Sequence, residues 1–180
     1  MPTITRLPGT PEPMMYFKGD GGLRVAADPW GDENGPLVML LHGLGADGDD
    51  LISLAPYFAR MIPDTAFVSP HAPFPCDMAP YGYQWFSLLD RSPARILAGV
   101  QAAAPILDAF ITQELDRHGL DESRLALVGF SQGCMMSLYV SPRREKPVAQ
   151  VLGYSGRLIG ADLLKTDARS KPPVLIVHGT

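Results

Sequence analysis

The sequence has few of the features that mark secreted, membrane-bound or nucleic-acid-binding proteins. Its two cysteines, Cys76 and Cys134, are too few for a disulfide framework, and neither has a second Cys or His at metal-ligand spacing. No run of about eighteen apolar residues occurs, and the first residues lack the apolar segment of a signal peptide. The net charge is −4 and the largest basic cluster is RREK at 143–146. These absences predict a soluble, cytoplasmic protein without stable membrane insertion or a nucleic-acid partner.

The composition is that of a single globular domain covering residues 1–180. Apolar residues make up 46% and charged residues 19% of the chain, which is enough apolar material for one core. Short apolar runs alternate with helix-compatible segments, a pattern that predicts an α/β fold with a mostly parallel sheet. Strands are predicted at 23–28, 37–41, 66–69, 125–129, 148–154 and 173–177, helices at 49–61, at 93–118 and after residue 131, and loose segments at 1–22 and 29–36.

The best-defined motif is GFSQG at 129–133, which fits G-x-S-x-G. It follows the apolar strand at 125–129 and precedes a helix, so Ser131 is predicted to sit on a sharp strand-to-helix turn with its hydroxyl exposed. N–H groups at the start of that helix favour developing negative charge. The turn therefore predicts a nucleophile and half of an oxyanion hole. The alternative is a purely structural Gly/Ser turn.

A second loop, HGLG at 42–45, also follows a predicted buried strand. In α/β sheets ligands bind beyond the carboxyl ends of the strands, so this loop and Ser131 are expected at one edge. An HG-type loop supplies the second donor of an oxyanion hole, which predicts the Leu44 and Gln132 N–H groups as the two donors. The alternative is that Gly43 and Gly45 only let the chain turn.

These motifs together resemble the phospholipase/carboxylesterase family, which includes acyl-protein thioesterases and bacterial carboxylesterases. The resemblance runs from about residue 37 onward and rests on five stretches in the family's order. They are HGLG at 42–45, SPHAPFPCDMAPYGYQWF at 69–86, GFSQG at 129–133, YSGRL at 154–158 and PPVLIVHG at 172–179. The resemblance implies an α/β-hydrolase fold, no cofactor, no metal, and hydrolysis of esters or thioesters by a serine.

Carried onto this chain, the resemblance makes Ser131 the nucleophile and the Leu44 and Gln132 N–H groups the oxyanion donors. It places Trp85 and Phe86 in the wall of the acyl pocket. For Trp85 a role in packing the proline-rich loop is an open alternative, because large aromatic residues usually bury themselves.

The acid and the histidine of the triad are expected beyond Thr180, so the chain is expected to be truncated before its last strand and helix. In this form it should be nearly inactive. The VLIV run at 174–177 supports this expectation, since an uncharged strand suits pairing on both sides. A substitute pair, Asp162 and His178, is disfavoured because His178 would have to reach Ser131 from the usual position of the acid. The three other histidines are assigned structural roles: His42, His71 and His118.

The sequence thus predicts a serine hydrolase that acts on a small-molecule or acyl-protein substrate through an acyl-enzyme on Ser131. One alternative is a fragment or a non-catalytic module that binds an acyl group or a partner. Another is a hydrolase for a different bond, such as a peptidase or lactonase, because the fold hosts many chemistries. A homodimer is left open.

Overall fold

The computed structural model describes residues 15–18, 24–28 and 35–179. The strands within these ranges are β1 (Met15–Lys18), β2 (Arg24–Asp28), β3 (Leu37–Leu41), β4 (Ala66–Pro70), β5 (Phe74–Pro75), β6 (Tyr83–Gln84), β7 (Leu125–Phe130), β8 (Gln150–Tyr154) and β9 (Val174–Val177). The α-helices are α1 (Gly48–Ile52), α2 (Ala55–Ala59), α3 (Pro93–His118), α4 (Gln132–Val140) and α5 (Ala161–Asp167). Short 3-10 turns occupy Glu122–Arg124 and Ser141–Arg143.

One seven-stranded sheet, in the order β1-β2-β4-β3-β7-β8-β9, forms the centre of the domain. The five strands from β4 to β9 in this order run parallel, whereas β1 and β2 pair antiparallel at one side. The prediction of a mostly parallel α/β sheet is confirmed. Because β3 and β7 are neighbours, the loops that follow them meet at one edge of the sheet.

Helices cover both faces of this sheet, and alternate residues of β3 divide between the two layers. Leu37, Met39 and Leu41 point into the larger core, which contains residues of α3 and α4. Val38 and Leu40 belong to a smaller core with residues of α1 and α2. All five side chains are buried, so each contributes about 1.5–3 kcal/mol relative to exposure. This burial explains the continuous apolar run of the strand.

The longest helix, α3, has the predicted bounds. It begins after Ser92 and ends at Gly119, which adopts the left-handed conformation with φ of +63°. Its length and composition would allow it to span a membrane. However, Val100, Leu107 and Ile111 on its apolar face are fully buried in the larger core, so α3 is a core helix of this domain.

Two local predictions were wrong. The expected helix at 49–61 is broken into α1 and α2, and α1 is capped by Asp47, whose side chain accepts the Asp50 N–H at 2.9 Å. The helix α5 was not predicted. The loose segment expected at 1–22 contains strand β1, and the rest of it lies outside the described residues, as does most of the expected loop at 29–36.

Strand β9 pairs with β8, and its four residues are 46–52% exposed. Both faces of β9 are thus exposed, which agrees with the expectation that another strand or helix packs against this uncharged VLIV strand. The expected additional strand and helix stay a prediction.

Candidate active site

Ser131 occupies a strained turn between β7 and α4. Its backbone has φ of 53° and ψ of −112°, a conformation that is rare for a residue with a side chain. Its N–H donates to the Tyr154 carbonyl at 2.9 Å, which ties the turn to the neighbouring strand β8. Positive φ at a strand-to-helix serine is the geometry of a nucleophile elbow, so the predicted sharp turn is present, and the role of Ser131 as nucleophile stays a prediction.

The two glycines of the motif are required by close backbone approach. A Cβ at Gly129 would lie 2.4 Å from the Gly133 carbonyl oxygen, and a Cβ at Gly133 would lie 1.9 Å from the Leu41 carbonyl oxygen. Neither space admits a methyl group. The motif therefore brings the first turn of α4 into contact with both β7 and the end of β3.

The loop after β3 reaches Ser131, so the predicted proximity of these two segments is confirmed. A Cβ at Gly43 would be only 3.2 Å from the Ser131 Cβ and 3.1 Å from a ring carbon of Phe130. The Leu44 N–H makes no hydrogen bond within the described part of the chain. As the first residue of α4, Gln132 likewise has an N–H without an intrahelical acceptor. Among the described residues, neither predicted oxyanion donor thus has a backbone acceptor.

His42 holds this loop rather than acting as a base. Its Nδ1 donates to the Gly43 carbonyl at 2.7 Å, and its Nε2 accepts the Ala72 N–H at 2.9 Å. These two bonds require the neutral imidazole with the proton on Nδ1. Its pKa is lowered from the usual 6.5, chiefly because burial disfavours the charged ring.

The other described histidines also lie away from the Ser131 hydroxyl. His71 accepts the Gly48 N–H at 3.2 Å, His118 lies 3.8 Å from a Glu114 oxygen, and His178 is exposed beyond β9. Because β8 separates β9 from β7, the backbones at His178 and Ser131 are about 10 Å apart. This placement does not support Asp162 and His178 as a substitute acid and base for Ser131.

Trp85 and Phe86 are 0% and 2% exposed, so they lie beneath the surface of the site. The Trp85 indole N–H donates to the His42 carbonyl at 3.0 Å, and its backbone N–H donates to the Gln132 side chain at 3.1 Å. These contacts favour the packing alternative for Trp85. The sequence reasoning missed the Gln132 side chain, which has 0% exposure and touches both loop residues.

Cys134 is buried three residues after the nucleophile. Burial raises the pKa of its thiol, and the thiol fills the space beside Gly153 and Gly156. Cys134 is therefore a packing residue. No group of three or more potential metal ligands occurs among the described residues.

A cavity of about 360 Å³ lies between the start of α3 and residues 157–160, a segment that directly follows Gly156. Its lining includes Ile96, Leu97, Leu158 and Arg157. The preceding residue, Gly156, contacts the Ser131 backbone, since a Cβ there would lie 2.8 Å from the Ser131 carbonyl oxygen. A second cavity of about 480 Å³ lies between α4, α5 and β9. The smaller cavity is therefore the better candidate for a substrate group.

Comparison with known proteins agrees with this geometry. A family model described as phospholipase/carboxylesterase matches residues 27–180. Acyl-protein thioesterase 1 of Emericella nidulans is 28% identical, covering 79% of this chain and 67% of that protein. Esterase YpfH of Escherichia coli K12 is 29% identical, covering 79% and 60% respectively. The chain therefore spans about two thirds or less of the length of these relatives.

Solved structures confirm the fold expected from the resemblance. The crystal structure of esterase PE8 is 43% identical with a TM-score of 0.78, covering 83% of this chain and 69% of that one. Arabidopsis thaliana SOBER1, at 21% identity and a TM-score of 0.62, covers 81% and 74% and shares the fold. The domain has the α/β-hydrolase fold.

Proposed function

Since the chain belongs to the phospholipase/carboxylesterase family and is a hydrolase by family, we propose that it cleaves carboxylic esters or thioesters through an acyl-enzyme on Ser131. The observation that carries this proposal is the strained Ser131 turn with the Gly43 loop packed directly against it. In this arrangement a substrate carbonyl carbon can approach the serine oxygen while its oxygen faces the Leu44 and Gln132 N–H groups.

The proposed mechanism has two half-reactions. A general base takes the Ser131 hydroxyl proton as its oxygen attacks the carbonyl carbon, and the resulting oxyanion accepts hydrogen bonds from Leu44 and Gln132. The alcohol or thiol then leaves with a proton from the protonated base. Water, activated by the same base, attacks the acyl-enzyme and releases the acid. One oxyanion donor is worth about 3 kcal/mol in such reactions.

The base and its acid partner are proposed to come from chain beyond Thr180. Two observations support this: the described histidines are engaged or remote from Ser131, and the relatives are longer than this chain. Without a base, only the oxyanion hole and binding would remain, which leave a rate about 10³–10⁴-fold above water in triad enzymes. We therefore expect residues 1–180 alone to be nearly inactive.

The relatives' names suggest the substrate class. One is an acyl-protein thioesterase and the others are esterases, so small-molecule esters and acyl-protein thioesters are both proposed, in the cytoplasm. The 360 Å³ cavity, with walls that include Ile96 and Leu97, is the proposed site for an apolar acyl or alcohol group. Phe86 and Trp85 would support this region from beneath. No cofactor is proposed.

The test compares hydrolysis of p-nitrophenyl butyrate, a butyryl thioester and a butyryl amide by the full gene product. We expect turnover of the ester and the thioester that is lost in Ser131→Ala. Turnover of the amide alone would favour the peptidase alternative. Absence of all three activities, with acyl binding that persists in Ser131→Ala, would contradict the proposal and favour the binding module.

A further inference from the structure

The side chain of Gln132 connects the nucleophile elbow to the loop at 83–86. It is 0% exposed, and its amide oxygen accepts the Trp85 backbone N–H at 3.1 Å. Its amide nitrogen donates to the Phe86 carbonyl at 2.7 Å. Buried amides need such partners, so the two bonds fix the rotamer of Gln132 against a backbone segment more than forty residues away in sequence.

The same loop is bound to the residues that carry the second oxyanion donor. The Trp85 indole N–H donates to the His42 carbonyl at 3.0 Å, immediately before Gly43. On the other side of Leu44, the Gly45 N–H donates to the Tyr83 carbonyl, and the Tyr83 N–H donates to the Ala46 carbonyl, both at 2.9 Å. The loop at 83–86 therefore lies between the two segments that present the Leu44 and Gln132 N–H groups.

From this geometry we infer that Gln132 is a positioning residue as well as a backbone donor. Its side chain, acting through Trp85, sets the position of the Leu44 N–H relative to the Gln132 N–H. This inference rests on the proposed function, in which both groups bind the oxyanion. The two donors stand at the ends of different elements, β3 and α4, so their spacing depends on what bridges them.

The energetic reason is preorganisation. Oxyanion donors are effective because they already face the developing charge and need no rearrangement during the reaction. A misplacement of 1 Å lowers the rate by about 10²-fold. Loosening the bridge should thus lower kcat more than it raises KM, because the Gln132 amide is fully buried and bonds only to backbone groups of Trp85 and Phe86 among the described residues.

The principal variant is Gln132→Met, which keeps the backbone N–H and the length of the side chain but removes both amide hydrogen bonds. We expect kcat to fall by about 10- to 100-fold, with KM changed less than about threefold. The matched control is Gln150→Met, because Gln150 lies on β8 and its amide bonds only to the next residue's carbonyl. The control should retain its kcat.

The conservative variant Gln132→Glu should regain activity at low pH, where its carboxyl group is protonated. A protonated carboxyl can donate to the Phe86 carbonyl and accept from the Trp85 N–H, whereas the carboxylate can only accept. The activity of Gln132→Glu relative to the unaltered protein should therefore increase as the pH falls. A merely structural role for the side chain would show no such dependence at pH values where the variant stays folded.

A double-mutant cycle tests whether the Gln132 side chain acts through Trp85. Trp85→Phe removes the indole N–H that reaches His42 but retains an aromatic ring. If Gln132 acts through Trp85, the double variant Gln132→Met/Trp85→Phe should be little slower than the slower single variant. Fully additive losses would mean that the two side chains act separately and would overturn the inference.

One measurement is independent of turnover. In the ¹⁵N-labelled full gene product, the Trp85 indole and Leu44 backbone N–H resonances report the bridge directly. We expect Gln132→Met to shift both resonances and to accelerate exchange of the indole proton, and Gln150→Met to change neither. Unchanged Leu44 and Trp85 signals in a folded Gln132→Met protein would overturn the inference, whether or not the protein hydrolyses esters. Absent ester hydrolysis with shifted signals would overturn only the proposed function.

Discussion

Replacing Gly43 with alanine tests how closely the loop after β3 approaches the nucleophile. Gly43 lacks the positive φ of Gly45, so an alanine is compatible with its backbone conformation. The added methyl would lie 3.1 Å from a Phe130 ring carbon and 3.2 Å from the Ser131 Cβ. Favourable carbon contacts lie at about 3.5–4.0 Å, so the neighbours must move by about 0.3–0.9 Å.

The effects of Gly43→Ala on stability and on kcat/KM depend on which neighbour moves. The Phe130 ring is 49% exposed and can turn aside, so the free energy of unfolding should fall by only about 1 kcal/mol. Relief of the contact with the Ser131 Cβ must instead move one of two groups. Movement of Ser131 displaces its hydroxyl, and movement of the Gly43 loop displaces the Leu44 N–H. Because 1 Å of misplacement lowers rates by about 10²-fold, we expect kcat/KM to fall by about tenfold.

The assay is p-nitrophenyl butyrate hydrolysis by the full gene product, together with urea unfolding. Gly119→Ala is the matched control, because Gly119 has φ of +63° and no atom within 4 Å of an added Cβ. It should lose about 1–2 kcal/mol of stability through backbone strain and keep its kcat/KM. An unchanged kcat/KM in Gly43→Ala would refute the inferred contact with Ser131.

Three further predictions concern stability, each measured by urea unfolding. Gly133→Ala should lose more than about 3 kcal/mol, since its methyl would overlap the backbone of β3; a near-native midpoint would contradict the elbow geometry. The lowered pKa of buried His42 means that the unfolded chain gains a proton first as the pH falls below 6.5. Stability should then decrease by up to about 1.4 kcal/mol per pH unit until the folded pKa is reached, and His42→Gln should flatten this slope. Arg144→Met removes a buried guanidinium bound to Asp108 and should cost about 1–3 kcal/mol, whereas exposed Arg169→Met should cost under about 0.5 kcal/mol.

The sequence predicted those parts of the site that depend on neighbouring residues. The G-x-S-x-G turn is recognisable within five positions, because Gly129 removes a clash with the first turn of α4 and Gly133 lets that turn approach the end of β3. The Leu44 loop was predictable for a similar reason, since a buried parallel strand ending in HG leads to the same sheet edge as Ser131. Strong local patterns therefore predicted the relative placement of Ser131 and the loop at 42–45.

Features that depend on tertiary contacts were not predictable. Gln132 bonds to residues 46 and 47 positions away, and its partners are backbone atoms without a side-chain signature. The break between α1 and α2, by contrast, had a local signal that the predicted 49–61 helix overlooked, because Pro56 lacks a backbone N–H and is tolerated only in the first turn of a helix. The seven-residue α5 begins after Gly160 in the left-handed conformation, without the side-chain cap that marks a helix start.

The proposed hydrolase function depends most on Ser131 being an activated nucleophile. The direct measurement is intact-mass spectrometry of the full gene product before and after treatment with a fluorophosphonate, followed by peptide mapping. The proposed function predicts one adduct, located on Ser131 and absent from Ser131→Ala. A folded protein that forms no adduct, or that forms the same adduct in Ser131→Ala, would contradict it.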